Sequence, residues 1–273
     1  MQTLYVNGRE RELGTRQMRK IICIANQKGG VGKTTTAVNL SASLAAAEKK
    51  TLLIDCDSQG NATSGMGIEK SSINEKNLYH ALINQVPLEE TVRATKIPTL
   101  SIIPASQDLI GVEVEFVSFS DREKRLKNLL DNFDLSYDFL IIDCPPSLGF
   151  LTLNSLVASN YVIIPLQCEY YALEGLGQLL NTVKLVQAKL NPSLSIAGIL
   201  LTMFDTRNRL SHQVSDEVKQ YFKSKVFKTV IPRNVKLSES PSHGLPIILY
   251  DINSRGAVSY MELAREIMTN GRL

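Results

Sequence analysis

Apolar residues gather along the chain in six short runs, at 21–25, 51–55, 100–104, 139–143, 161–166 and 196–203. Each is nearly unbroken rather than alternating, which is the pattern of a strand buried on both faces. The segments 34–47, 122–132 and 175–189 instead carry apolar residues near the helical period. Strands alternating with helices predict an α/β domain built on a mostly parallel, twisted sheet with helices on both faces. In such sheets ligands bind beyond the carboxyl ends of the strands.

Residues 1–18 do not share the pattern. They collect Arg9, Glu10, Arg11, Glu12 and Arg16 without periodicity, and Met18-Arg19-Lys20 makes a natural lead into the first strand. The expected division is an N-terminal arm over 1–18, either flexible or a matter of start-codon choice, and one domain over 19–273. With 273 residues, 44% of them hydrophobic and 21% charged, the chain can bury one large core. No Pro- or Ser-rich linker divides it.

Cys23, Cys56, Cys144 and Cys168 lie in or beside apolar runs without C-x-x-C spacing, as buried free thiols of a reducing cytoplasm would. The N-terminus has no apolar signal core, and no run approaches the ~20 apolar residues of a membrane span. The expected location is cytoplasmic. Net charge is only +3, but it is unevenly spread: between Leu200 and Ser240 eight bases face four acids, so that segment carries +4 and the remainder −1.

The sharpest chemistry follows the first strand, in Lys28-Gly29-Gly30-Val31-Gly32-Lys33-Thr34-Thr35. Its second half satisfies G-x-x-x-x-G-K-[ST], but the leading glycine of that pattern falls on Gln27. This variant P-loop has an extra lysine, and two lysines imply two jobs. Gly29, Gly30 and Gly32 allow backbone N–H groups to turn inward on a polyphosphate, and the helix from about Thr34 aims its positive end at the same charge. Lys33 would reach the β and γ phosphates, and the Thr34 hydroxyl would hold Mg²⁺.

Asp57 and Asp143 stand at or just past strand ends, where a carboxylate can reach a phosphate-bound Mg²⁺ beside Thr34. Asp143 follows Phe139-Leu140-Ile141-Ile142, as a Walker B aspartate does, and Cys144-Pro145-Pro146-Ser147 reads as a switch loop. Asp57, in Asp55-Cys56-Asp57-Ser58-Gln59-Gly60-Asn61, could position or deprotonate an attacking water.

Together N-Q-K-G-G-V-G-K-T-T at 26–35, D-C-D-S-Q-G-N at 55–61 and I-I-D-C-P-P-S at 141–147 closely resemble the ParA family of deviant Walker A partition ATPases. The likeness extends to L-T-M-F-D at 201–205 and I-P-R-N-V-K-L-S-E-S-P-S-H-G at 231–244, and so to nearly everything from Arg19 onward. The resemblance implies a single P-loop NTPase domain using ATP and Mg²⁺. It makes Lys28 the signature lysine that crosses an ATP-sandwiched homodimer, and Asp57 the hydrolytic aspartate. Pro232 and Asn234 would lie against the adenine. In this family the ATP dimer binds double-stranded DNA without sequence preference, and a ParB-type partner stimulates slow hydrolysis and release. That implies a nucleoid-associated protein of the short, Soj-like kind.

Phosphate contacts from Lys and Arg give salt-dependent, sequence-independent affinity, and a dimer doubles the charge shown to one duplex. Arg207 and Lys236 lead the expected DNA contacts, with Lys225, Lys228 and Arg233 behind them, although bases on a helix such as 215–225 are ordinarily a solvated face. His80, His212 and His243 lack metal-like spacing. Tyr170 and Tyr171 read as packing residues rather than a base-stacking platform.

Other functions on this scaffold make different demands. A MinD-like ATPase working on a membrane needs a basic amphipathic tail, and from Leu249 onward Arg255, Arg265 and Arg272 are balanced by Asp251, Glu262 and Glu266. No membrane partner is therefore expected, and the last helix should pack on the sheet. A cluster carrier of the nitrogenase-reductase kind needs paired cysteines, and a repressor needs a sequence-specific DNA module that the short arm cannot hold. Whether the cargo is a chromosome, a plasmid or a protein assembly belongs to the partner.

Overall fold

Seven strands build one sheet: β1 (Lys20–Ile24), β2 (Thr51–Asp55), β3 (Arg93–Ala94), β4 (Leu100–Ile103), β5 (Phe139–Asp143), β6 (Tyr161–Gln167) and β7 (Ser195–Thr202). Their spatial order is β3-β4-β2-β5-β1-β6-β7. Every pairing is parallel except β3 with β4. The computed structural model describes residues 19–73, 75–133, 136–169 and 172–269. The arm expected over 1–18, Tyr170, Tyr171 and Arg272 lie outside the described residues.

All six apolar runs are strands. Their ends moved for identifiable reasons: β4 stops before Pro104, which has no N–H to donate, and β7 stops at Thr202 because Met203 turns into the left-handed region at φ 49°. The two-residue β3 was not foreseen, since two residues make no pattern. The helix expected over 122–132 is shorter, Arg125–Asp131, and its first turn is fastened from outside, with Leu126 N–H donating to Asn154 Oδ1 at 3.1 Å.

Residue parity assigns the two faces. Ile21, Cys23, Leu52, Ile54, Leu140 and Ile142 pack under the helices Arg125–Asp131, Phe150–Ala158, Ala172–Lys189 and Arg209–Phe222. Ile22, Ile24, Leu53, Ile141 and Ile163 pack under α1 (Lys33–Ala46) and the helix Arg255–Thr269. Each fully buried aliphatic side chain contributes about 1.5–3 kcal/mol, so this sheet is held from both sides.

The Arg255–Thr269 helix spends its apolar face inside the molecule. Ala257, Tyr260, Leu263, Ala264 and Ile267 are all buried, with Tyr260 Oη 3.2 Å from Thr36 Oγ1 of α1. Its Glu266 accepts from the Lys228 and Thr229 N–H groups, each at 2.9 Å, and from the Thr229 hydroxyl at 2.8 Å. Among the described residues no helix is long and apolar enough to cross a membrane. The outer edge of β7 is covered by the chain that follows, with Phe227 N–H donating to Ile199 O at 3.0 Å and Ile231 N–H to Leu201 O at 2.9 Å. All four cysteines are buried and unbridged, as expected.

Candidate functional site

β1 lies between β5 and β6, where the chain's connections diverge to the two halves of the sheet, and the loop from β1 to α1 emerges at that crevice. Asn26 pins its first residues: Nδ2 donates to Pro165 O at 2.8 Å and Oδ1 accepts the Lys28 N–H at 3.0 Å. Gln27, which displaces the usual glycine, donates through Nε2 to Gln178 Oε1 at 2.8 Å and ties the loop to the Ala172–Lys189 helix. Thr202 at the end of β7 donates its hydroxyl to Val31 O at 2.8 Å. Gly30 and Gly32 adopt φ of +74° and +86°, a region a β-carbon disfavours. Gly32 precedes α1 without any side-chain cap, and no acid stands in the first turn. The helix start therefore keeps N–H groups and a positive dipole end for an anion.

The two lysines of this loop are held differently. Lys33 is buried and donates to Lys28 O at 3.0 Å, curling over its own loop. Burial lowers its pKa, and the nearby Asp143 and Asp57 carboxylates act against that drop. Lys28 points the other way, to Glu169 Oε2 at 2.7 Å, with its side chain 37% exposed and that of Glu169 48% exposed.

Three strand ends meet opposite Lys33. Asp143 is in register with Ile24 of β1 and with Asp55 of β2. Asp55 is fully buried and well served, accepting from Asp57 N–H at 3.1 Å, Thr63 N–H at 2.8 Å and the Thr63 hydroxyl at 2.7 Å. Burial nevertheless pushes it up to about 6. Asp143 is as deeply buried, yet neither carboxylate oxygen has a hydrogen-bond partner among the described residues. Burial first, then Asp55, drives its pKa well up, while the Thr34 hydroxyl and Lys33 ammonium, near but outside hydrogen-bond geometry, oppose the rise. Asp57 is buried beside them, and its Oδ1 accepts the Gln59 N–H at 3.0 Å.

An unpartnered buried carboxylate is costly unless a ligand completes it. Asp143, with the Thr34 hydroxyl beside it and an N–H-lined loop above, fits a divalent cation and its water shell held against a polyphosphate.

The segment expected near a base is joined to the same rim. Pro232 bridges to Phe204, Arg233 N–H donates to Phe204 O at 3.0 Å, and Thr202 and Met203 lie against Gly32. Asn234 caps the Val235–Glu239 helix by accepting the Leu237 N–H at 3.2 Å. The turn 240–244 closes back on the chain after Asp57: a β-carbon on Gly67 would stand 2.8 Å from Gly244 O, and one on Gly244 2.7 Å from Gly67 Cα.

The five expected DNA contacts are all exposed, but not equally free. Arg207 forks onto Asp205 at 3.0 and 2.9 Å and holds that carboxyl down at about 2. Lys236 pairs with Glu239 at 3.0 Å and lies over the Tyr250 ring. Such exposed pairs are screened by water and salt and yield readily to a stronger anion.

Sequence reading passed over Asp55, Gln27 and Glu169 as site residues. Asp55 had a signal, the D-x-D spacing at a strand end. Glu169 had none, being separated from Lys28 by 141 positions.

The sequence of this protein matches a family model described as an AAA domain over residues 19–196. It is 57% identical over 257 residues to the chromosome partitioning protein ParA of Myxococcus xanthus, covering 94% of this chain and 90% of that one. It is 59% identical over 254 residues to the sporulation initiation inhibitor protein Soj of Bacillus subtilis, covering 93% of this chain and all of that one. Among solved structures, cobyrinic acid a,c-diamide synthase from Mycobacterium smegmatis with bound ADP and magnesium superposes with a TM-score of 0.81 at 35% identity, covering 94% of this chain and 98% of that one.

Proposed function

The chain belongs to the ParA/Soj family of partition ATPases, and from that premise we propose that it is an ATP-switched homodimer that binds DNA without sequence preference and is released when a ParB-type partner stimulates hydrolysis. One observation carries this reading. Of two lysines in one phosphate loop, Lys33 is turned inward and buried, while Lys28 stands at the rim, held by an exposed carboxylate. A lysine placed there serves a second subunit's phosphates better than its own.

In this reading the N–H groups of Gly29 to Thr35 cradle the phosphates, with Val31 contributing backbone only, and Lys33 moves from the Lys28 carbonyl onto the β and γ oxygens. Thr34 and Asp143 would hold Mg²⁺, with Asp57 beside them. When bound, Mg²⁺ would supply positive charge that offsets the charge of the phosphates during transfer. Asp57 orients the attacking water and receives its proton, the residue's buried position keeping other waters away. Lys28 leaves Glu169 for the partner subunit's nucleotide, which adds a charge-assisted contact that exists only while the γ phosphate does. Pro232 and Asn234 flank the adenine, the Asn234 amide nitrogen remaining available because Oδ1 serves as the helix cap.

A nucleotide with magnesium sits in the solved relative at 35% identity, which supports ATP and Mg²⁺ here; that protein's named synthase reaction is not carried over, since the relatives at 57% and 59% are partition and Soj proteins. The DNA contacts assigned to Arg207, Lys225, Lys228, Arg233 and Lys236 would place the protein on the nucleoid.

The test is binding to unrelated duplex DNA with ATP, with ADP and with no nucleotide, at two salt concentrations. Binding confined to ATP and weakening steeply with salt supports the switch. Equal binding in all three states, or none in any, overturns it.

A further inference from the structure

After β4 the chain makes consecutive helical turns, Gln107–Gly111, Val112–Glu115 and Phe116–Ser118. Leu109, Val112 and Phe116 enter the core, while Ile110, Val114 and Val117 stand 63%, 77% and 62% exposed. Spacing of four and then three residues places those side chains along one side of the turns. Single exposed apolar residues are ordinary, but a stripe of three branched ones is the anatomy of a contact surface.

Its setting is specific. Asp108, Glu113 and Glu115 surround the stripe and are exposed, and no Lys, Arg or His occurs from Ile97 to Asp121. On one flank Gln107 and Asp108 share a cleft of about 380 Å³ with Ser58, Gln59 and Gly60, the loop that carries Asp57. On the other, Glu113 Oε1 accepts the Phe150 N–H at 2.9 Å, at the end of the loop that follows Asp143. Leu148 of that loop is itself exposed. An occupant of this surface would touch both loops that bear the reacting carboxylates.

We propose that Ile110, Val114 and Val117 form the docking surface for a basic amphipathic helix of the activating partner protein, an assignment that rests on the partner-stimulated reading above. The acids select the occupant. Phosphate groups of DNA or anionic lipid are repelled by this segment, and a second copy packed on the same face would set like charges against each other. A helix with an apolar stripe and flanking Lys or Arg satisfies both features. By seating against Glu113 it gains a lever on the Phe150 N–H and hence on the loop after Asp143.

Two double variants of the full chain test this, Val114→Ser with Val117→Ser, and Asp108→Lys with Glu115→Lys. The probes are the ParB-type protein of the same source and a synthetic Leu/Lys amphipathic helix of about 18 residues, roughly five turns. Each variant is expected to keep nucleotide binding and ATP-dependent DNA retention. Each should require about tenfold more of either probe, a change of one hot-spot contact. Unchanged half-maximal concentrations overturn the proposal, and so does a loss of ATP-dependent self-association without any partner, which would assign the stripe to a second copy. If the ParB-type protein fails to stimulate even the parental chain, the functional reading falls, while the peptide titration still decides the surface.

Discussion

Asp55 and Asp143 occupy matching positions on neighbouring parallel strands, and among the described residues only Asp55 of the two has hydrogen-bond donors for its charge. Burial raises both, Asp55 to about 6. For an acid raised by folding, the penalty falls on the ionised form. It is absent below the ordinary carboxylate value of about 4 and grows as pH climbs through the raised value. The ligand-free protein should therefore lose stability as pH rises above about 4, the Asp55 share being lost by the time pH passes about 6 and the Asp143 share continuing above that. Asp143→Asn, which removes the unpartnered buried charge, should raise the melting temperature of the ligand-free protein at pH 7.5 by about 2–4 °C and abolish the gain in nucleotide affinity that Mg²⁺ confers. A lower melting temperature in a scan without nucleotide would refute the account.

Lys33→Ala should abolish nucleotide binding, with a loss of about 100-fold or more, as expected for removing a charge-assisted contact to phosphate. Because Lys33 is buried and its pKa lowered by that burial, Lys33→Met should leave the ligand-free melting temperature nearly unchanged. Titration with a fluorescent ATP analogue and a thermal melt separate the two effects; nucleotide binding retained by either variant contradicts the assignment.

The Lys28 to Glu169 pair is exposed, so Glu169→Gln should leave stability unaltered. Its effect should appear in self-association. Freed from its own subunit's carboxylate, Lys28 is available to a neighbour, and the ATP-dependent dimer should tighten several-fold in sedimentation equilibrium. Lys28→Ala should remain monomeric with ATP. Identical dimer constants for the parental chain and Glu169→Gln would mean the pair does not restrain Lys28.

Asp57→Ala should accumulate an ATP-loaded, DNA-bound form that partner protein cannot release. Hydrolysis at the parental rate with the partner present would show that another group positions the water.

Gly67 and Gly244 approach each other backbone to backbone, both at positive φ. Alanine at either should cost about 2–4 kcal/mol, combining backbone strain with overpacking, and the double variant should cost less than the sum because one separation relieves both clashes. Urea denaturation measures this, and additive costs would mean the two turns yield independently.

Much of this molecule was legible in its sequence because the signals were local. Unbroken apolar runs marked all six long strands, and the glycine–lysine loop with its following helix fell where a parallel sheet opens. What escaped was either too short to make a pattern, as with Arg93–Ala94 and the turns over 107–118, or joined residues far apart in the chain. Glu169 meets Lys28 only because β6 ends beside the loop leaving β1, and Asp55 gains importance only through the β2–β5 register. The last helix packs against the sheet for a reason periodicity could supply: its apolar positions fit one buried face. The basic segment was visible as composition, but Asp205 and Glu239 as partners of Arg207 and Lys236 were not.

The sheet ends on one side in a strand of two residues and on the other in β7, whose outer edge is already bonded to the chain at 227 and 231. Among the described residues neither border offers a long row of open backbone groups to a stranger's strand. Contacts between copies of this protein must then run through side chains and loops, which can come apart again, rather than through the continuous backbone pairing from which fibres do not return.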